Sequence, residues 1–254
     1  MMIFYFTGTG NSLFVAQKIA EQAGASTVSI PQVIDEQREY TDDCIGFVYP
    51  QYANSLPKMV RKFILNNKFS ADYFFAINLW SFIHIGAIRE IAGILPLNYG
   101  VYLKTPNNFT FLLNSPKKPQ LVLSKAERRL AEITNDIKER KNKFIKPKTG
   151  EGNATRHFGE CKFKTTNKCV KCGTCAKVCP ANNIIIDSGV TFGKNCETCF
   201  SCANLCPQHA IHSNNAMLKR RQYRNPYVST EEIMEANTKS TNKEETTNDT
   251  ASNR

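Results

Sequence analysis

The run "CVKCGTCAKVCP" begins at Cys169, and 27 residues later "CETCFSCANLCP" begins at Cys196. Both read C-x2-C-x2-C-x3-C-P. Cys169 recurs as Cys196, Cys172 as Cys199, Cys175 as Cys202 and Cys179 as Cys206, and Pro180 and Ile184 recur as Pro207 and Ile211. A repeat at fixed period is an internal duplication, so two similar half-sites related by a pseudo-twofold axis are expected. Three thiols at intervals of three let one tight loop meet a metal group at several points. The proline holds the fourth Cys extended, so that it reaches elsewhere. Zinc also uses C-x2-C pairs, but structural zinc takes two pairs about a dozen or more residues apart. It leaves the third Cys and the Cys-Pro, both in duplicate, unexplained.

Nine of the ten cysteines lie between 161 and 206. A disulfide framework would suit a short secreted chain, but residues 1–160 carry only Cys44, and "MMIFYFTGTG" has no basic segment of a secretory signal. The longest charge-free stretch, Tyr73 to Ile88, is 16 residues with Asn78, Ser81 and His84 inside it, too short and polar for a spanning helix. A reducing, cytoplasmic location follows, where clustered Cys means metal. Cys161 lies outside the repeat and reads as a free thiol; Cys44 reads as packing. The net charge of +11, from 33 Lys plus Arg against 22 Asp plus Glu, is spread along the chain. It suits an acidic protein partner and gives no specific sign of nucleic-acid binding.

Residues 1–145 alternate short apolar runs with helical periodicity. Strands are expected at 2–6, 26–30, 44–49, 73–79 and 100–104, and helices at 12–23, 57–66, 86–95 and 122–143. Apolar strands alternating with helices mean an α/β fold, a parallel sheet covered on both faces. Residues 146–160 read as a linker, 161–215 as the Cys-rich domain and 216–254 as a tail, basic and then, from about 229, disordered.

Between the first strand and helix stands "FTGTGNS". Gly8 and Gly10 permit a tight turn with exposed N–H groups, the helix N-terminus adds positive potential, and Thr7, Thr9, Asn11 and Ser12 add donors. A P-loop would need a Lys, and a dinucleotide fingerprint would need Gly where Leu13 stands. A single terminal phosphate fits this loop; a turn using glycine for shape alone is the plainer alternative.

The cysteine spacing is that of bacterial ferredoxins. The whole chain, over about residues 1–233, resembles the flavodoxin–ferredoxin fusion proteins of anaerobic bacteria. The flavodoxin part of the resemblance rests on the loop at 7–12, on "GFVYPQYANSLPKMVRKFI" (46–64) and on "VYLKTPNNF" (101–109), and a further match is "KRRQYRNPYVSTEEI" (219–233). It implies a flavodoxin-like doubly wound five-stranded sheet of order 2-1-3-4-5, followed by a small α+β ferredoxin domain with two [4Fe-4S] clusters. One cluster would use Cys169, Cys172, Cys175 and Cys206, the other Cys196, Cys199, Cys202 and Cys179. FMN would sit at the carboxyl ends of strands one, three and four, among loops 7–12, 50–55 and 79–86, with Thr7, Gly8, Thr9, Gly10, Asn11 and Ser12 at its phosphate and Tyr52 and Trp80 stacking on its ring. One loop departs from the family. It is usually Gly-rich but here reads "NLWSFIHIGA", keeping only Gly86 and adding bulk at Trp80, Phe82 and His84.

The implied function is intracellular electron transfer between the clusters and FMN, to or from redox proteins, some with acidic docking surfaces. The lysines of the cluster domain (Lys162, Lys164, Lys168, Lys171, Lys177 and Lys194) would offset cluster charge and steer such a partner. No catalytic nucleophile or acid–base pair is legible. A flavin-dependent reductase of a small acceptor is the alternative. A redox sensor binding nucleic acid through "KRRQYR" (219–224) ranks last.

Overall fold

Residues 3–6 set the layers. Ile3 and Tyr5 are buried in one hydrophobic cluster, Phe4 and Phe6 in another, as the two-residue period of a strand covered on both faces requires. The computed structural model describes residues 1–52, 55–81, 86–144 and 162–238. The linker at 146–160, Cys161, Phe82, His84 and the tail beyond 238 lie outside the described residues.

The first part runs β1 (Met2–Tyr5), α1 (Asn11–Ala23), β2 (Ser26–Ser29), β3 (Cys44–Pro50), α2 (Lys58–Asn66), β4 (Tyr73–Trp80), α3 (Ala87–Ala92), β5 (Tyr99–Lys104), α4 (Pro119–Lys138) and β6 (Lys143–Phe144). The sheet is parallel throughout, in the order β2-β1-β3-β4-β5-β6. The short β6 is an addition to the five expected strands. It occupies residues that the periodicity assigned to a longer last helix; α4 ends at Lys138, and Arg140 follows with a positive φ of 54°. On one face α1 and α4 bury Leu13, Ile19, Leu123, Leu130 and Ile133 against Ile3, Ile77 and Val101. On the other, Phe4 packs among Tyr40, Phe47, Phe63 and Phe69, with ring centroids 4.8 to 5.6 Å away.

The Cys-rich part is built from β7 (Lys164–Thr165), α5 (Thr174–Lys177), β8 (Ile184–Ile186), β9 (Val190–Phe192), α6 (Ser201–Asn204) and β10 (Ile211–His212). β8 and β9 form one antiparallel pair, and β7 and β10 the other. The duplication is visible in the backbone. Lys171 and Thr198 have φ of 54° and 55°, Asn182 and His209 of 47° and 48°, and α5 repeats as α6. The N–H of Asn183 reaches the Cys179 sulfur at 3.4 Å and that of Ala210 the Cys206 sulfur at 3.3 Å.

One expectation is overturned. Instead of disorder from 229 there is a helix, α7 (Thr230–Asn237), with a complete capping box. Ser229 Oγ accepts from the Glu232 N–H at 3.0 Å and Glu232 Oε2 from the Ser229 N–H at 2.7 Å. Ile233, Ala236 and Asn237 are buried. Composition argued for disorder because the surrounding residues are polar. The cap and one apolar stripe were enough to order these two turns against residues 29–32, where the Ala236 carbonyl accepts from Ser29 Oγ and the Glu235 carbonyl from Gln32 at 2.8 Å. Among the described residues no helix is long and apolar enough to cross a membrane.

Candidate functional site: a donor-rich loop covered by the cysteine-rich part

The 7–12 loop leaves the carboxyl end of β1 and enters α1 at Gly10, whose φ of 95° only glycine adopts without strain. Thr7, Thr9 and Ser12 are each 1 % exposed. Thr7 Oγ1 accepts from the Gly10 N–H at 3.1 Å and Thr9 Oγ1 from Asn108 Nδ2 at 3.1 Å, which leaves both hydroxyl protons to donate. The first-turn N–H groups of α1, at Asn11 and Ser12, have no intrahelical acceptor. These groups border a cavity of about 50 Å³, closed by Gln51, Trp80 and Pro106 from the ends of β3, β4 and β5. Its donor set and size fit one phosphate group. The segment 105–108 is a wall that sequence reasoning had not assigned to the site.

The other expected contacts divide. Trp80 lines the cavity, half-buried, with Lys104 Nζ 5.4 Å from its ring centre. Asn11 does not present its amide to a phosphate. Its Nδ2 donates to the Pro106 carbonyl at 3.1 Å, and its Oδ1 accepts from the Tyr223 hydroxyl at 2.6 Å and Asn225 Nδ2 at 3.2 Å. Tyr52 is not among the cavity residues. It packs edge-on against Phe6, centroids 6.2 Å apart, and its hydroxyl lies on the side of the loop where Cys199 approaches. Residues 53–54 and 82–85, which carry the rest of the two expected ring-contact loops, lie outside the described residues.

The eight thiols form two sets. Cys169, Cys172, Cys175 and Cys206 line one cavity. Burial pushes the Cys175 thiol up to about 11, with Cys206, Cys169 and Cys172 as the neighbouring thiols that add to the shift. Cys202 is raised by burial and then by Cys199, Cys179 and Cys196. Buried thiolates crowded in this way are stable only when a cationic group neutralises them. Among the described residues no three His, Cys, Asp or Glu side chains converge closely enough for a single ion. The sets differ in exposure: Cys172 is open to solvent, whereas every thiol of the second set is at least partly buried.

The second set is also the one that meets the first domain. A Cβ on Gly8 would lie 2.8 Å from the Cys199 carbonyl oxygen, so only glycine fits beneath it. The Ser201 hydroxyl donates to the Gly8 carbonyl. Glu197, between two cysteines, accepts from the Met59 N–H at 3.2 Å in the first turn of α2. The segment 219–228 straps the two parts together. The Asn225 N–H donates to the Thr9 carbonyl at 2.8 Å, Tyr223 N–H to Asn204 Oδ1 at 2.9 Å, and Gln222 Nε2 to the carbonyls of Ala203 and Cys206. Arg220 and Arg221 of the basic run donate to the carbonyls of Thr110, Phe111 and Ser115, so they serve as struts.

Residues 163–185 match the family model of the 4Fe-4S binding domain. The chain thus carries a 4Fe-4S binding domain that includes the first cysteine run and Pro180. No curated protein matches the sequence. Among solved structures, a flavoprotein of Bacteroides uniformis is 16% identical, over 41% of this chain and 88% of its own, with a TM-score of 0.32. An azoreductase of Bacillus anthracis is 10% identical, over 54% and 99%, at 0.35. The Trp repressor binding protein of Bacillus subtilis is 14% identical, over 50% and 96%, at 0.30.

Proposed function

We propose that this chain is a cytoplasmic electron-transfer protein, with two [4Fe-4S] clusters in a domain at 161–215 and FMN in a flavodoxin-like domain at 1–145, joined by a linker at 146–160. One observation carries the reading: the second cysteine set lies directly against the phosphate loop, with the Cys199 backbone and the Ser201 hydroxyl on Gly8. When bound, the clusters take up one electron each and the flavin one or two.

The chain's own residues supply position, burial and charge balance. Thr7, Thr9, Ser12 and the α1 N-terminus hold the phosphate end. Backbone N–H groups of Asn183, Thr198 and Ala210 point to the sulfurs of Cys179, Cys196 and Cys206 and stabilise charge there. Phe163 and Phe200 share one buried apolar cluster with Cys175, Cys202 and Cys206 and exclude water there. Redox proteins with acidic docking surfaces are the proposed partners.

A second reading is a flavin-dependent reductase of a small acceptor. It is favoured by a cleft of about 360 Å³ between β5 and α4 that shares Trp80 with the phosphate cavity and is lined by Lys104, Lys125, Arg129 and Leu121. Steady-state turnover of a quinone or nitro compound with saturation would select it. The deciding experiment is anaerobic purification with iron and flavin analysis and EPR after reduction. About eight irons and one FMN per chain are expected. Zinc in place of iron would end the electron-transfer reading, and iron without flavin would leave the first domain as a docking scaffold.

A further inference from the structure

The duplication offers a comparison inside one molecule, since each residue of the second cysteine loop has a counterpart 27 positions earlier. The second loop has become an interface. Glu197 caps α2, Phe200 packs edge-on to Phe109 at 5.2 Å, Ser201 donates to Gly8, and Asn204 Nδ2 donates to the Asn108 carbonyl at 2.9 Å. Their counterparts are Val170, Gly173, Thr174 and Lys177. Val170 is 63 % exposed, Lys171 and Lys177 are exposed, and a Cβ on Gly173 would meet nothing within 4 Å. The two halves share backbone geometry, yet one face is covered by the first domain and the other, among the described residues, is bare.

We infer that this bare face, centred on Val170 and Gly173 and ringed by Lys168, Lys171 and Lys177, is the docking surface for an external acidic redox protein. It takes the role for the first cysteine set that the first domain takes for the second. The inference rests on the proposed electron-transfer function and adds an order to it: partner, first set, second set, phosphate-loop domain. The argument for the occupant is charge. The covered face carries Glu197 where the bare one has Val170, and Thr198 and Asn204 where it has Lys171 and Lys177. Asp187 stands at the β8–β9 turn, where Lys171 Nζ donates to the Ser188 carbonyl. An apolar centre with a basic rim matches an acidic partner and excludes a basic one. Cys172, the solvent-exposed thiol of the first set, lies within this face. In the transfer step one electron leaves the partner's reduced centre and enters the first set's cluster; no bond or proton moves.

The test uses the full holoprotein and, as probe, a reduced acidic plant-type [2Fe-2S] ferredoxin. Bimolecular reduction is followed by stopped flow across a salt series, and zero-length carbodiimide cross-links are mapped by mass spectrometry. Lys171→Glu/Lys177→Glu should slow reduction at least tenfold at low salt, flatten the salt dependence and remove the cross-links. The charge-matched Arg128→Glu/Lys138→Glu pair on α4, both exposed and outside either cavity, should leave all three near wild type. Equal slowing by both pairs would assign the effect to net charge and overturn the inference. So would cross-links outside 168–177, or wild-type rates in the first pair. Iron content separates the two levels: chains without iron fail the functional proposal, whereas iron-loaded chains with these contrary results fail the docking inference alone.

Discussion

At Gly8 a single hydrogen atom decides whether the two halves can close. A methyl group there would press on the Cys199 carbonyl at 2.8 Å, and that carbonyl belongs to backbone that cannot rotate away. Gly8→Ala should therefore cost about 1–3 kcal/mol of stability and lower the melting temperature by several degrees; an unchanged melt would mean that the halves do not meet at this point. Ser12 poses a separate question, because it lines the cavity. Ser12→Ala should weaken FMN binding roughly tenfold, the worth of one hydrogen bond to a charged group. Flavin fluorescence quenching measures this, and an unaltered Kd would remove Ser12 from the phosphate site. Gly8, Gly10 and the hydroxyl residues were legible in the sequence because turn geometry and donor chemistry are local. The diversion of Asn11 to Pro106, Tyr223 and Asn225 was not legible, since it depends on partners about a hundred and two hundred residues away. The same holds for Tyr52, whose neighbour is fixed by how residue 199 packs.

Among the elements, α7 best separates what pattern can and cannot reveal. Ser229-x-x-Glu232 followed by Ile233 is a readable helix start, but its polar surroundings outweigh it until the apolar stripe finds a surface, and only the fold supplies one. The sheet was easier, since five strands and their helices follow from local apolar runs, whereas two-residue β6 carries no such run. Ser229→Ala should destabilise the protein by about 1 kcal/mol through the lost cap. Glu232 adds a pH dependence of definite sign. The Ser229 N–H bond, first, holds its carboxyl below the usual carboxylate value. Its stabilisation is therefore complete above about pH 4.3 and is lost as pH falls through the lowered folded value. Glu232→Gln preserves the bond and should flatten this acid limb, as read from urea melts at successive pH values. A limb identical to wild type would assign the acid sensitivity to another group, such as Asp136, which Lys141 also holds low.

Among the described residues, the two parts of the molecule are held together by the strap and the interface. The Cys-rich part contacts the phosphate loop through Cys199 and Ser201 and α2 through Glu197. Residues 219–228 cross both parts, and Asn237 Nδ2 ties α7 to the Val178 carbonyl at 3.0 Å. Composition places a linker at 146–160, but a linker-like stretch does not reveal what the segments on either side of it bury against each other. Cleavage at a protease site placed within 146–160 should therefore leave the halves together on size exclusion, with each cluster's EPR signal unchanged. Buried hydrogen bonds in the strap are each worth about 1 kcal/mol, and several act in parallel across one surface, so their loss should be felt collectively. In a cleaved chain that also ends at 218, the strap and α7 are gone and the halves should separate. If cleavage alone separates them, the second cysteine set is not fixed against the phosphate loop, and electron transfer between the halves would then depend on the length of the linker.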